Sequence, residues 1–104
     1  MMETLAPCRI RHRASALLQR DGWLESGIAD FRGHRCLLMA LYDAALELGG
    51  DVADFYAAVM EIAAETSAHP APVGETLRRL MQWQDAPNRL FSEVLRLLEG
   101  NHHE

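Results

Sequence analysis

Residues 36–63 read CLLMALYDAALELGGDVADFYAAVMEIA, two apolar segments separated by a pair of glycines. The first segment is apolar at almost every position. Its polar exceptions, Asp43 and Glu47, stand four residues apart and therefore share one helical face. This pattern predicts a helix over 35–48 that is the most buried helix of the fold. The glycine pair ends that helix, because glycine adopts the backbone conformations of helix C-termini at little cost.

The second segment has the most regular helical pattern in the chain. Asp51, followed three residues later by Asp54, resembles a capping box with Asp in place of the usual Glu or Gln, so this helix starts directly after the glycines. The sequence HPAP at 69–72 cannot continue it, because proline lacks the amide hydrogen. Its apolar residues keep the i, i+3, i+4 spacing through three turns: Val52, Phe55, Tyr56, Val59, Met60 and Ala63.

A further helix precedes this pair. Leu17 and Leu18 lie on the apolar face of a helical pattern over 9–20, which ends at the Asp-Gly step of 21–22. Residues 23–33 follow no helical period, and glycines at 22, 27 and 33 punctuate this aromatic-rich stretch. We expect an ordered loop or a short hairpin there.

Two more helices follow. An apolar face predicts the first of them over about 74–84, and Asp85 or Asn88 offers an N-cap for the second, which Gly100 ends. The expected fold is therefore all-α, a compact array of about five helices in one domain over 1–104, with flexible ends at 1–8 and 101–104. The core is expected to contain Leu17, Leu18, Leu37, Leu38, Leu41, Leu46, Phe55, Val59, Ile62, Leu77, Leu80, Val94 and Leu98.

Composition and charge argue against several classes of protein. With 104 residues, 49% apolar and 24% charged, the chain is typical of a globular domain that needs no cofactor to fold, and we expect none. A net charge of −5 opposes binding to phosphate backbones and anionic membranes, and no apolar run approaches the ~20 residues of a membrane span. Two cysteines, Cys8 and Cys36, are too few for a disulfide framework, so we expect free thiols in the cytoplasm.

Short motifs spread over most of the chain carry a family resemblance: ALL at 16–18, GW at 22–23, Cys36 opening a helix with AL at 40–41 and AA at 44–45, WQDAP at 83–87 and EVL at 93–95. They resemble a family of short uncharacterised proteins from actinobacteria and their phages, whose members read Gly-Trp, a Cys-led helix and Trp-Asn-Asp-Ala-Pro. This chain has Gln84 where the family has Asn, Leu90 in place of a Thr cap, and Met39 in place of a small residue. Because that family has no assigned activity, the resemblance implies one compact domain only.

Four residues could in principle form a metal or catalytic site: Cys8, His12, His34 and Cys36. Their spacing argues against zinc, because zinc modules usually place two to four residues between paired cysteines. No sequence signature of a nucleophile and its base surrounds them either. We therefore expect neither a metal nor an enzyme, and a small enzyme or metal-binding protein built on these residues is an alternative function.

A second alternative is a nucleic-acid-associated regulator. Arg9, Arg11 and Arg13 alternate along the first helix, and the glycine turn between the second and third helices resembles a helix-turn-helix. The helix after that turn carries only acidic charges, which opposes docking in a DNA groove. A nucleic-acid partner is therefore not expected.

Acidic residues around the glycine turn form a candidate binding surface for a basic protein partner. We refer to this set as the acidic strip: Asp43, Glu47, Asp51 and Asp54. A solvated face is the ordinary explanation of such a strip. Self-association is the nearest partner hypothesis, because the second helix is apolar nearly all round and five helices need not cover it.

The aromatic-rich loop is the other candidate binding surface. Trp23, Phe31, Arg32 and Arg35 lie in it or beside it, and tryptophan and arginine are typical of interface hot spots. Trp23 and Trp83 can equally close the rim of the core. The function predicted from the sequence is a non-enzymatic protein-binding module or small regulator, with a protein partner or a homodimer as its assembly.

Overall fold

Five helices make up the fold in the computed structural model, which describes residues 5–24, 33–66 and 71–100. They are α1 (Pro7–Asp21), α2 (Leu37–Glu47), α3 (Val52–Thr66), α4 (Val73–Gln84) and α5 (Phe91–Glu99). The predicted all-α array is confirmed, and the described ranges contain no β-strand. α1 begins two residues before the predicted start because Pro7 suits the first helical position, where a missing N–H costs nothing.

The α2–α3 hairpin lies at the centre of the helix array. α1 packs against α2, α3 and α5, and α4 packs against α2 and α3. Apolar side chains from all five helices form one buried cluster, in which Leu17, Leu41, Ile62, Leu80 and Leu98 are almost fully buried. Burying one such side chain contributes roughly 1.5–3 kcal/mol of hydrophobic free energy.

The turn between α2 and α3 confirms the predicted capping box. The amide of Asp54 donates to Oδ1 of Asp51 at 3.1 Å, and the amide of Asp51 donates to Oδ2 of Asp54 at 3.0 Å. Two amide groups at the start of α3 therefore have partners. Gly49, with a φ of 83°, adopts the left-handed conformation that ends α2.

A buried arginine joins α1 to α3 and α5. The side chain of Arg11 is 1% exposed, and its guanidinium donates to Glu61 and Glu65 at 2.7 Å each. It also donates to the carbonyl oxygens of Leu97 at 2.5 Å and Leu98 at 3.2 Å, the last turn of α5. Burial acts to lower the pKa of Arg11, but the hydrogen bonds with Glu65 and Glu61 outweigh it and the pKa lies above its ordinary value.

The connection after α1 is held by backbone pairing with the segment before α2. Leu24 N–H donates to the Arg35 carbonyl at 2.9 Å, and Arg35 N–H donates to the Gly22 carbonyl at 3.2 Å. This isolated bridge is parallel, and residues 25–32, which make up most of the predicted loop or short hairpin, lie outside the described residues. Gly22 has a φ of 102° and lies so close to the His34 ring that a Cβ would collide with it.

The link between α4 and α5 differs from the prediction. Asp85 ends α4 rather than capping α5, and Asn88 adopts a positive φ of 67° in the turn. The N-cap of α5 is Leu90, whose N–H donates to Oε1 of Glu93 at 2.8 Å. Leucine has no side-chain acceptor, so only one half of a capping box is present.

One predicted core residue was placed wrongly. Leu46 is 49% exposed on the outer face of α2, because α1, α3 and α4 cover the opposite faces of that helix. Leu38 and Leu77 are half-buried and pack against the edge of the core rather than inside it. The outer face of α2 is therefore only partly covered within this chain.

Candidate apolar docking groove

An apolar groove opens at the junction of α2, α3 and α4. Its volume is about 360 Å³, and it is open to solvent rather than enclosed. Two tyrosines, a phenylalanine and two methionines provide much of its wall. We call it the α2–α4 groove; its lining residues are Cys36, Leu38, Met39, Tyr42, Phe55, Tyr56, Leu77 and Met81.

Aromatic contacts shape the wall between α2 and α3. The ring of Tyr42 meets the ring of Phe55 edge-on, with centroids 5.5 Å apart and an interplanar angle of 90°. Phe55 in turn contacts Tyr56 at 5.4 Å and 45°. Edge-to-face pairs of this kind hold rings in one orientation. The wall is therefore preformed, while Met39 and Met81 on the neighbouring helices supply flexible side chains.

The groove has little chemistry to offer beyond burial of apolar surface. None of its lining residues, all of which lie in the described ranges, is acidic or basic. The Cys36 thiol lies beneath it, where the sulfur accepts from Met39 N–H at 3.4 Å as the N-cap of α2. Burial raises the pKa of that thiol, so Cys36 is a poor nucleophile.

Two exposed aliphatic side chains lie at the turn end of the same hairpin. Leu46 is one helical turn after Tyr42 on α2, and Val52 is one turn before Tyr56 on α3. Their side chains are 49% and 50% exposed. Because the hairpin is antiparallel, both lie beyond the same end of the groove. We call these two residues the Leu46–Val52 ridge.

The carboxylates of the acidic strip are engaged within the chain. Asp43 accepts from Arg35 Nε at 2.7 Å, and Glu47 accepts from Arg13 at 2.5 Å. The other two members form the capping box of α3 described above. Asp43 and Glu47 are thus neutralised locally by arginines, whereas Asp51 and Asp54 accept from backbone amides and keep their charge. A role of this strip in partner binding stays a prediction.

The loop surface is only partly described. Phe31 and Arg32 lie outside the described residues. Trp23 is half-buried: its ring stacks on Phe91 at 5.7 Å and 10°, and its Nε1 donates to Gln84. Arg35 bridges Asp43 and Asp21. Trp23 and Arg35 therefore both make stabilising contacts within the chain.

The four residues weighed for a metal site do not come together. Cys36 lies beneath the α2–α4 groove, and His34 lies against Gly22. Cys8 and His12 line a separate open depression of about 630 Å³ beside Leu48. Within the described ranges, which include all four, no group of three or more metal-ligating side chains is close enough to share an ion.

The three alternating arginines also separate. Arg11 is buried against Glu61 and Glu65, and Arg13 pairs with Glu47, so the N-terminal helix does not present a basic face made of all three. Arg89 and Arg96 line an open polar depression of about 790 Å³ near Trp83. There Arg89 lies 3.9 Å above the Trp83 ring and its guanidinium pairs with Glu93. The Arg89 guanidinium therefore has partners within its own part of the chain.

Most of the groove was not predicted from the sequence. Phe55 and Tyr56 fit the apolar period of α3, so the pattern assigns them to the buried side of that helix rather than to an open groove. One signal did point to the site, namely that α2 is apolar on more faces than its neighbours can cover.

Comparison with known proteins defines a family but no activity. No helix in the described part of the chain combines the length and apolar character of a bilayer span. Neither the curated proteins nor the solved structures contain a match to this sequence. One family model matches residues 2–101, which confirms the resemblance to a family without assigned function. The chain belongs to the family of unknown function DUF6197.

Proposed function

We propose that this chain is a non-enzymatic protein-binding module that receives apolar side chains of a partner helix in the α2–α4 groove. The observation that carries the proposal is an open groove lined by tyrosine, phenylalanine, methionine and leucine. Tyrosine, phenylalanine and methionine are enriched where proteins bind one another, and apolar grooves accept the apolar face of an amphipathic helix.

The lining favours a protein over a small ligand. Sites for small molecules bury most of the ligand and orient it with a few precisely placed polar groups. This groove is shallow, and only the two tyrosine hydroxyls and a buried thiol interrupt its apolar lining. A leucine inserted there would gain roughly 1.5–3 kcal/mol from burial. Micromolar affinity corresponds to about 8 kcal/mol net, so two or three such anchors are not sufficient and further contacts must offset the cost of association.

The exposed ridge extends this surface. Positions that contact only solvent usually carry polar side chains, whereas Leu46 and Val52 are aliphatic and about half exposed. Scattered single apolar residues need no explanation, but a groove and a ridge on one hairpin form a continuous apolar area. A partner that covers both would remove that area from water.

The test uses a defined probe peptide. A capped, uncharged amphipathic helical peptide with leucines at i, i+3, i+4 and i+7 is titrated into protein labelled with ¹³C at its methionine methyl groups. We expect the methyl resonances of Met39 and Met81 to shift in a saturable way. The substitution Tyr42→Lys should weaken peptide binding at least tenfold.

The matched control changes an exposed apolar residue elsewhere. Leu90 is 60% exposed at the start of α5, outside the groove. Leu90→Lys should leave peptide binding unchanged. Resonances of Met39 and Met81 that stay in place at millimolar peptide, or equal binding by the Tyr42→Lys and wild-type proteins, would overturn the proposal.

A further inference from the structure

The outer face of α2 carries a groove and a ridge that can fill one another. We infer that the partner in the α2–α4 groove is a second copy of this chain, related to the first by a two-fold axis that lies outside α2 and runs perpendicular to it. This inference rests on the proposed function, because it names the occupant of the same groove. Three observations support it: the spacing of ridge and groove, the charge of the surrounding face, and the exposure of the ridge.

The spacing fits a symmetric contact. Met39 and Tyr42 border the groove, and Leu46 projects from the same side of α2. Seven residues separate Met39 from Leu46, a distance of about 10 Å along the helix. A two-fold axis perpendicular to α2 between these residues exchanges the two positions. Each copy then places its Leu46 over the other copy's groove, the self-complementary arrangement that an isologous dimer requires.

The charges beside this strip would not oppose such a contact. Two copies with a net charge of −5 each repel one another in general. Beside the apolar strip, however, Asp43 is paired with Arg35, and Glu47 is paired with Arg13. This part of the surface is therefore locally neutral. In the antiparallel arrangement, the Arg35 end of one α2 faces the Glu47 end of the other, so a basic and an acidic side chain meet at each end of the contact.

The ridge supplies the side chains to be buried. Leu46 and Val52 are each about half exposed, which is unusual for two large aliphatic residues beside an apolar groove. Within one chain Leu46 cannot reach the groove, because it points outward from the same wall that Tyr42 forms. A second molecule can place its own Leu46–Val52 ridge in the α2–α4 groove of the first.

The first experiment measures mass against concentration. Multi-angle light scattering after size exclusion, over roughly micromolar to millimolar protein, should give a mass rising from 11.7 kDa toward twice that value. Leu46→Gln should weaken dimerisation at least tenfold without adding charge. Leu90→Gln is the matched control, since it makes the same change at a more exposed leucine outside the groove, and it should dimerise like the wild type.

A second experiment tests the arrangement itself. In a Cys8→Ser background, protein with Met39→Cys is mixed with protein carrying Leu46→Cys and mildly oxidised. Disulfides need Cα atoms about 4.4–6.8 Å apart, so the two-fold packing predicts faster cross-linking in the mixture than in either variant alone. Equal rates in all three samples would contradict the antiparallel contact.

The two proposals fail in different ways. A mass of 11.7 kDa at every concentration, with the probe peptide still shifting Met39 and Met81, overturns the second copy and leaves a partner of another kind in the groove. A monomer that also ignores the peptide overturns both proposals. A dimer that survives Leu46→Gln overturns this contact and places the interface elsewhere.

Discussion

The indole Nε1 of Trp23 donates a hydrogen bond to Oε1 of Gln84 at 2.9 Å, across 61 residues of sequence. The same oxygen accepts from Leu37 N–H at 2.7 Å, and Gln84 Nε2 donates to Asp85 at 2.7 Å. Gln84 is fully buried, so one amide side chain joins the end of α1, the start of α2 and the end of α4. This relationship leads to the first prediction.

Replacing Gln84 with leucine should lower the free energy of unfolding by about 2–4 kcal/mol, because it leaves the Leu37 amide and the Trp23 indole without an acceptor. Trp23→Phe removes the indole donor and part of the ring that stacks on Phe91, while Gln84 still accepts from Leu37, so it should cost less, about 1–2 kcal/mol. Urea unfolding followed by circular dichroism measures both. The assignment is contradicted if Gln84→Leu is as stable as the wild type.

The buried guanidinium of Arg11 donates hydrogen bonds to two carboxylates and two carbonyls, so its contribution to stability can be tested. Arg11→Ala should destabilise the fold by about 3–5 kcal/mol, since it leaves the carbonyls of the last turn of α5 unpaired and opens a cavity. Arg11→Lys keeps the charge but not the planar guanidinium, so its stability should lie between those of Arg11→Ala and the wild type. Arg9→Ala, on the exposed face of the same helix, is the matched control and should change stability by less than about 0.5 kcal/mol.

Leu90 is a stabilising opportunity. Thr at this N-cap adds the side-chain acceptor that leucine lacks and completes the capping box with Glu93. We expect Leu90→Thr to raise the free energy of unfolding by about 0.5–1 kcal/mol. Leu90→Val has nearly the same shape without the hydroxyl and should give no such gain. Equal stabilities of the Thr and Val variants would show that capping is not the cause.

Asp21 should contribute to acid sensitivity. Hydrogen bonds from Arg20 and then Arg35 hold the pKa of its carboxyl well below the ordinary range. Because the folded-state pKa is lower than the unfolded value of about 4, the stabilisation is present above that pH and is lost as the pH falls further. The urea midpoint should therefore drop less between pH 5 and pH 3 in Asp21→Asn than in the wild type. Identical drops would contradict this role.

The two thiols should differ in reactivity. Cys8 is exposed near the start of α1, whereas Cys36 is buried and its pKa is raised by burial. In the folded protein at pH 8, one thiol per chain should react promptly with a disulfide reagent such as DTNB, and the second only after unfolding. Cys8→Ser should abolish the prompt phase. A prompt phase that persists in this variant would show that Cys36 is accessible.

Local sequence patterns predicted most of the helices. The capping box of Asp51 and Asp54 and the glycine turn place α2 and α3 almost to the residue, because capping and turn chemistry act between residues a few positions apart. The end of α1 followed in the same way from Gly22. The start of α5 did not, because Asp85 and Asn88 have the right side chains for an N-cap but the chain turns twice before the helix begins.

Distant neighbours decided the rest. An arginine in an amphipathic pattern is expected in solvent. Arg11 is buried because two glutamates and the last carbonyls of α5, all at least 50 residues away, accept its hydrogen bonds. The exposure of Leu46 depends equally on which faces of α2 the other helices cover. The sequence by itself therefore determined the helices and most of their ends, through interactions within a few residues. The tertiary structure decided which apolar face of α2 stays open, because burial depends on contacts that no local pattern contains.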